Sequence, residues 1–481
     1  MAALVGLIPA AGKGVRARPY SSLVPKGMLQ VDGTPNLERL ICHMRDQLQI
    51  EEIYMTVGYL SHVIKDYFGD GSKFGVRLHY VDNSELDKGL AWSILLAGRK
   101  INATCCVMLS DECYIGADHS SLLDFPFSEG LVTCGVMNVD DTRLIKQNYS
   151  VYRQGDKAIR LIEKPQTTEN NLLGLGTFVL TPDFFPRLER AFEDSSNDYV
   201  EFITFVDSLC GEETGVLCFE MDGIYVNINN RDSLNLARYY ARNKTFSENR
   251  VSLLLSSEGV EENIDLNINR YRKNLGIDEI SVVLPQQNSI QEKILATGAG
   301  VIICPPAVDL YGEKILHGLD NMSGDIFVLA EADYSFPEHD VNKLLEYLKE
   351  ADMVIGTRTT RQLIEQGSDM TGLVRVANVI LAKFMELLWW RREVRLTDVG
   401  CTLRALWRSS YEDMRERLTG RGPELLSEMV IETLNDRKRV IEIPVNYYNQ
   451  SVALNRKYRN RKTFLSILLM IAGKKIKSFR S

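Results

Sequence analysis

Short apolar runs alternate with amphipathic stretches along the chain, and this alternation constrains the fold more than any other feature. In the first half the runs of strand length are Leu4–Pro9, Glu52–Val57, Val76–Val81, Cys105–Leu109, Leu131–Val136 and Gly174–Leu180. Helical patterns such as Asn36–Leu48 and Gly89–Lys100 lie between them. Strands that alternate with helices are typical of βαβ units, so the pattern predicts a doubly wound, mainly parallel sheet.

The pattern pauses in the polar segment NKTFSEN, residues 243–249, and then starts again. The second set of runs is Val251–Leu255, Glu279–Leu284, Gly300–Cys304, Asp325–Ala330 and Asp352–Ile355. A chain of 481 residues is also too long for one ordinary core. We therefore predict two Rossmann-like α/β domains in tandem, residues 1–247 and 248–481.

Composition excludes several classes of protein. The formal net charge of −8 argues against a general nucleic-acid binder. The nine cysteines form no C-x-x-C pair, so we expect reduced thiols rather than a zinc ribbon or a disulfide framework. The start of the chain lacks the pattern of a signal peptide, and no apolar run approaches the ~20 residues that cross a bilayer. We expect a cytoplasmic homo-oligomer that binds no nucleic acid.

A basic loop with two glycines follows the first predicted strand. In LIPAAGKGVRARPYSSLVPKGMLQV the residues of interest are Gly12, Gly14, Arg16 and Lys26, and their spacing fits neither the P-loop nor G-x-G-x-x-G. Open α/β sheets bind ligands beyond the carboxyl ends of their strands, where the glycines would let backbone N–H groups approach a polyphosphate. Arg16 and Lys26 would neutralise charge as pyrophosphate leaves. The alternative is a basic surface turn.

Asp111 ends the apolar run in VMLSDECY, which places it at the same edge of the predicted sheet. Magnesium prefers one or two carboxylates together with phosphate oxygens. We therefore predict that Asp111 binds Mg²⁺. The alternatives are a helix N-cap and a solvent-exposed aspartate.

Ordered motifs over about residues 3–242 resemble the sugar-1-phosphate nucleotidyltransferases, and the glucose-1-phosphate thymidylyltransferase group in particular. A-A-G-K-G-x-R followed by V-P-K-G-M-L resembles the family signature, which implies that Gly12, Gly14, Arg16 and Lys26 hold the triphosphate. KGLAWSILLAG, VMLSDECY, LIEKPQ and GLGTFVLTPDFF follow in the family's order. They imply base-side contacts at Gly89 and Ala91 and a metal ligand at Asp111. They also imply contacts with the sugar and its phosphate at Glu163, Lys164 and Gly176.

The segment IYVNINNRDSLNLA departs from the family's W-x-D-x-G-T pattern. It places Asn227 at the second metal-binding aspartate, whereas the V-N-N-R form of some uridylyltransferases favours Asn229. An amide oxygen can bind Mg²⁺ without contributing charge.

The resemblance implies an Mg²⁺-dependent enzyme that joins an NTP to a sugar 1-phosphate, or a similar small phosphate, and releases pyrophosphate. CTP, UTP and dTTP all remain open as the nucleotide. The alternative is a nucleotide-sugar-binding or scaffold protein without turnover.

The second half resembles family 2 glycosyltransferases, closest to dolichyl-phosphate mannosyl- and glucosyltransferases, from about 250 to 450. IDEISVVLPQQNSIQEKI, GDIFVLAEADYSFPEHDVNKLLEYL and LTDVGCTLRALWR carry the match, and they imply a GT-A-type fold. The family's V-V-D-D-G-S segment is here Val282–Gln287, and its metal-binding D-x-D is Glu331-Ala332-Asp333. Two interpretations stay open: a transferase with an altered donor site, or a degenerate domain kept as scaffold, dimer contact or acceptor site.

A transferase would use Glu331, Asp333 and Asp398, with Mg²⁺ or Mn²⁺, to pass the activated group to a lipid phosphate or a small-molecule acceptor. Residues 455–481 contain nine Lys or Arg and no acid, around the apolar segment FLSILLMIAG. Such a tail suits peripheral contact with an anionic membrane. The alternative is a helix packed on the domain with a solvated basic end.

Overall fold

The computed structural model describes residues 4–14, 24–196, 198–261, 263–274, 276–287, 289–308, 310–365, 370, 372–390, 394–448 and 461–478. The chain divides into two compact units, Met1–Ala241 and Arg242–Ser481. The boundary predicted near residue 247 lies a few residues inside the second unit.

The first unit has thirteen strands and seven helices in its described residues. The strands are β1 (Val5–Ala10), β2 (Gln30–Val31), β3 (Thr34–Pro35), β4 (Glu52–Val57), β5 (Arg77–Asp82), β6 (Cys105–Met108), β7 (Glu112–Ile115), β8 (Val132–Asn138), β9 (Tyr149–Gln154), β10 (Lys157–Glu163), β11 (Leu172–Leu180), β12 (Val216–Glu220) and β13 (Ile224–Asn227). The helices are α1 (Asn36–Leu48), α2 (Ser61–Phe68), α3 (Gly89–Gly98), α4 (Arg143–Gln147), α5 (Phe184–Glu193), α6 (Phe202–Ser208) and α7 (Arg231–Thr245), in which the border between the units falls.

The main sheet of this unit has nine strands in the order β5-β4-β1-β6-β11-β8-β12-β10-β9. The strands β5, β4, β1 and β6 are parallel, as predicted. From β11 onward the sheet is mixed, since β11 runs antiparallel to both β6 and β8. The prediction of a mainly parallel sheet was therefore wrong for this half of it. Antiparallel neighbours need only short connections, such as the turn at Gly155 between β9 and β10.

Strand β1 shows why the apolar runs form this sheet. Leu7 and Ile8 are both fully buried, but they belong to separate cores on opposite faces of the sheet. Because successive side chains of a strand point to opposite faces, a strand covered on both sides must be apolar throughout.

The second unit contains a seven-stranded sheet in the order β16-β15-β14-β17-β19-β18-β20. Its strands are β14 (Val251–Ser256), β15 (Glu279–Leu284), β16 (Gly300–Ile303), β17 (Ile326–Glu331), β18 (Met353–Thr357), β19 (Arg404–Trp407) and β20 (Val440–Pro444). The helices are α8 (Ile264–Arg272), α9 (Ile290–Ala296), α10 (Tyr311–Asp320), α11 (His339–Leu348), α12 (Gly372–Leu388), α13 (Arg408–Arg415), α14 (Glu424–Asn435) and α15 (Arg461–Ser478). All pairings are parallel except those of β19 with β17 and β18.

Helix α15 packs on the second unit through one face. Ile467 and Ile471 are buried in the same core as residues of α14. The Lys474 ammonium lies 2.6 Å from carboxylate oxygens of both Glu428 and Glu432. This face therefore behaves as the packed-helix interpretation predicts. Over the described ranges, no helix has the length and apolar character that a membrane crossing requires.

We predict that Lys474→Met destabilises the protein by about 3–5 kcal/mol, because it removes the cation paired with the buried Glu428 carboxylate, whereas Glu432 keeps its pair with Arg417. Chemical denaturation followed by circular dichroism would measure the loss. Lys383→Met is the matched control, since Lys383 is half exposed and its pair with Glu386 contributes below about 1 kcal/mol. Equal effects of the two substitutions would contradict the structural role of α15.

Candidate active site

A cleft of about 500 Å³ opens in the first unit beside the carboxyl ends of β1 and β6. The loop after β1 forms one wall, and the segments that follow β6 and β13 form another. The cleft brings together predicted site residues from distant parts of the chain. Those that line it are Gly12, Gly14, Lys26, Gly89, Asp111, Glu163, Lys164, Gly176, Asn227 and Asn229.

Two predicted residues are not placed there. Ala91 is fully buried in the core between α3 and the sheet, so the structure does not bring it to the cleft. The reason is helical geometry: two positions along an α-helix differ by about 200°, so Ala91 faces away from the side that Gly89 presents. Arg16 lies outside the described residues.

The Lys26 ammonium is held by two oxygen acceptors from distant segments. It forms an ion pair with Asp111 and donates a hydrogen bond of 2.8 Å to Asn229 Oδ1. The side chain of Lys26 is 13% exposed and that of Asp111 24%. Gly27, the next residue, has no room for a side chain, because a Cβ there would lie 2.7 Å from Leu37 Cγ and 3.1 Å from the Ser110 carbonyl. A carboxylate and an amide oxygen thus converge on one cation at the edge of the cleft.

Asn227 is placed at the same cleft by the β7–β13 ribbon. It lies opposite Glu112 in the antiparallel register, and Ile228 N donates to the Asp111 carbonyl at 2.8 Å. Asn227 Nδ2 donates to Asn148 Oδ1 at 2.9 Å. In the part of the chain that the structure describes, Asn227 Oδ1 is buried without a hydrogen-bond partner.

This oxygen set fits a magnesium ion. Mg²⁺ takes oxygen ligands and is usually held by one or two carboxylates with substrate phosphates. Asp111 supplies a negative charge, and Asn229 supplies an amide oxygen that already accepts a hydrogen bond from the Lys26 ammonium. Asn227 supplies a buried amide oxygen to which no described group donates a hydrogen bond. Among the described residues, no group of three or more His, Cys, Asp or Glu could form an all-protein metal cage.

Glu112 is a residue of the cleft that the sequence analysis did not identify. Its buried carboxylate accepts hydrogen bonds from the hydroxyls of Tyr114 and Tyr225, the latter at 2.7 Å. The backbone N–H of Gly176 donates to both carboxylate oxygens at 2.8 and 2.9 Å. Burial raises the pKa of Glu112 to about 7. The only signal in the sequence is its place directly after Asp111 at the end of an apolar run.

The predicted sugar side of the cleft lies on the turn after β10. Glu163 and Lys164 form an ion pair with each other. Lys164 has a left-handed backbone with φ of 42°, and its N–H donates to the Asn148 carbonyl at 2.7 Å. Asn148 thereby links this turn to Asn227, one of the predicted metal ligands.

In the second unit, Glu331 and Asp333 stand at the end of β17. Glu331 accepts hydrogen bonds from Tyr311 at 2.8 Å and from Thr402 at 2.6 Å, and Asp333 accepts one from a serine hydroxyl. Burial raises the pKa of both carboxyls, and the proximity of Glu331 adds to the rise at Asp333.

Asp398, the third predicted residue of the second unit, is fully buried in an ion pair. Arg358 donates to its two oxygens through Nε at 2.7 Å and Nη2 at 2.9 Å. Its carboxylate is thus already satisfied by the protein, and its predicted role stays a prediction.

Comparisons with known proteins give a family match within the first unit and its border with the second. Residues 5–243 match the model of the Nucleotidyl transferase family. The chain is 27% identical over 232 residues to the UTP–glucose-1-phosphate uridylyltransferase AglF of Haloferax volcanii, covering 46% of this chain and 90% of the relative. It is 39% identical over 193 residues to the UTP–glucose-1-phosphate uridylyltransferase of a Synechocystis strain, covering 37% of this chain and 49% of the relative.

A mannose-1-phosphate guanylyltransferase of Mycobacterium tuberculosis is 28% identical over 185 residues, covering 38% of this chain and 50% of the relative. The chain thus spans about half the length of two of these three relatives. A crystal structure of apo UDP-glucose pyrophosphorylase has a TM-score of 0.44 and 18% identity, covering 51% of this chain and 98% of that one.

Gly176→Ala should destabilise the first unit, because its Cβ would lie 2.5 Å from the Glu112 carboxylate, which three donors hold in place. We expect a loss of about 1–3 kcal/mol in the free energy of unfolding, as for overpacked cores. Gly12→Ala is the control, since its Cβ would meet no atom within 4 Å. Denaturant titration of both variants would measure the difference, and an unchanged midpoint for Gly176→Ala would contradict it.

Proposed function

We propose that residues 5–243, which match the model of the Nucleotidyl transferase family, join an NTP to a sugar 1-phosphate and release pyrophosphate. The observation that carries the proposal is the position of Lys26. It lies in the cleft next to the glycine loop, between the Asp111 carboxylate and the Asn229 amide oxygen. A lysine ammonium next to oxygens that could bind a metal suits a polyphosphate, because the negative charge on a polyphosphate shifts during the reaction.

In the proposed reaction, an oxygen of the sugar 1-phosphate attacks the α-phosphorus of the NTP. The new P–O bond forms as the bond to the departing pyrophosphate breaks. The attacking phosphate is already ionised at neutral pH, so no side chain has to remove a proton. Catalysis then rests on positioning and on charge. Lys26 would balance the charge that collects on the phosphate oxygens.

Asp111, Asn227 and Asn229 are the residues that would hold Mg²⁺. When bound, the ion would neutralise triphosphate charge and orient the phosphates. Gly12 supports close approach of the triphosphate, because the space beside its α-carbon is open. Glu163 and Lys164 would contact the sugar and its phosphate from the opposite wall, with Gly176 beside them.

For the second unit we propose a glycosyltransferase-like framework that does not bind common nucleotide sugars tightly. Leu284 is fully buried where the resemblance calls for an acid, and Pro285 after it can offer neither an N–H nor a side-chain acceptor. Glu331 already accepts hydrogen bonds from the hydroxyls of Tyr311 and Thr402. The alternative to this proposal is a bifunctional chain, in which the second unit transfers the product of the first unit to an acceptor.

Substitutions of the two charged residues test the first proposal. Asp111→Asn and Lys26→Met should each lower kcat for Mg²⁺-dependent pyrophosphate release on the order of 100- to 1,000-fold, as expected for preorganised charge stabilisers. The assay would pair each NTP with a panel of sugar 1-phosphates. Asp87→Asn is the control, since Asp87 is 95% exposed in its pair with Lys13. Wild-type activity in Asp111→Asn would remove the metal assignment, and no turnover with any pair would favour the binding or scaffold alternative.

Binding measurements on the intact chain test the second proposal. We expect titration calorimetry with UDP-, GDP-, CDP- and dTDP-sugars plus Mn²⁺ to give the same isotherms for the wild type and Asp333→Asn, because binding would reside in the first unit. A tight, metal-dependent binding event that Asp333→Asn abolishes would overturn the proposal and make the chain bifunctional.

A further inference from the structure

Helices α12 and α15 of the second unit pack against each other and share a surface that is strongly apolar. On each helix, and at Trp390 just after α12, exposed apolar residues recur at steps of three, four or seven residues, which places them along one face. Their exposed fractions run from 52% to 85%. The residues are Leu373, Val376, Ile380, Leu387, Trp390, Leu465, Leu469 and Ile476.

The opposite faces of both helices are anchored in one core. Leu381 and Met385 of α12 and Ile467 and Ile471 of α15 are buried in the same cluster. The exposed residues are therefore presented by helices whose positions are fixed. Single exposed apolar side chains are ordinary on a protein surface, whereas a row of them on each of two adjacent helices indicates an interaction site.

The charge of this region indicates what the surface contacts. By sequence, α15 contains Arg461, Lys462, Lys474, Lys475 and Lys477 and no acidic residue. Lys474 is used internally, by Glu428 and Glu432, and Lys475 lies 4.9 Å above the ring of Trp389. On α12 the charged residues are Arg375, Lys383 and Glu386, and the glutamate is paired with Lys383.

The positive charge of α15 does not favour a second copy of the chain as the partner of this surface. A two-fold symmetric contact would place each surface against itself and bring the basic residues of both α15 helices together. Like charges at an apolar interface oppose association. An anionic lipid surface, in contrast, attracts basic residues and accepts apolar side chains below its headgroups.

We propose that the α12–α15 face is a docking surface for the anionic phospholipid bilayer. The helices lie on the bilayer and do not cross it, because α15 has only 18 residues and is too polar at its ends. The exposed leucines enter the interface, and the basic residues hold the unit against the headgroups.

Flotation of the full-length protein with vesicles tests the proposal. The intact protein should bind phosphatidylcholine vesicles that contain phosphatidylglycerol, bind pure phosphatidylcholine at least about tenfold more weakly, and lose affinity as salt is added. Leu387→Glu and Leu469→Glu should each lower the partition coefficient about tenfold or more, since each removes apolar contact and adds negative charge.

Leu266→Glu is the matched control, because Leu266 is 54% exposed on α8 and should leave vesicle binding unchanged. Unchanged thermal unfolding of all three variants would show that the fold is kept. The proposal is overturned if the intact protein ignores anionic vesicles at low salt, or if both leucine variants bind like the wild type. A dimer in light scattering that Leu469→Glu dissolves would also overturn it, in favour of a second copy.

Discussion

The buried carboxylate of Glu112 is the interaction on which the geometry of the cleft depends. It accepts hydrogen bonds from Tyr114 on β7, Gly176 on β11 and Tyr225 on β13. A carboxylate away from water is costly unless donors surround it, so these donors must stay in place if Glu112 is to remain buried. These three strands, each of which contributes residues to the cleft, are thereby tied to one point. Asp111 precedes this point in the chain, and Asn227 lies across from it in the ribbon.

The charge balance at the mouth of the cleft follows from that placement. Asp111 and Asn229 both direct oxygens at the Lys26 ammonium, so the lysine is neutralised by the protein. In the proposed reaction Lys26 would exchange these partners for oxygens of the triphosphate. The Asp111 carboxylate, freed of the lysine, would then have the charge that the proposed magnesium ligand requires.

The second unit keeps the predicted framework of strands and helices, but its predicted site residues are bonded within the protein. Its parallel strands and helices keep the pattern that the sequence predicts, while its polar positions are used by the protein itself. Asp398 is satisfied by Arg358, and Glu331 by two hydroxyls. Helix α15 has two different faces: one is buried in the core, and the other is exposed and apolar. The buried face fits the packed-helix interpretation, and contact of the exposed face with a membrane stays a proposal.

The sequence by itself determined the strands that are buried on both faces, because an uninterrupted apolar run between turn residues has few other stable environments. It also placed the glycine loop, Lys26 and Asp111 at one sheet edge, since the carboxyl ends of parallel strands share that edge. The tertiary structure alone decided that β11 inserts antiparallel between β6 and β8, and that Ala91 turns into the core.

It also decided that Asn227 and Asn229 both reach the cleft. The contacts of Glu112 join residues 64 and 113 positions apart. Local propensity and periodicity describe only neighbouring residues, so partners at such separations are fixed only when the whole sheet packs.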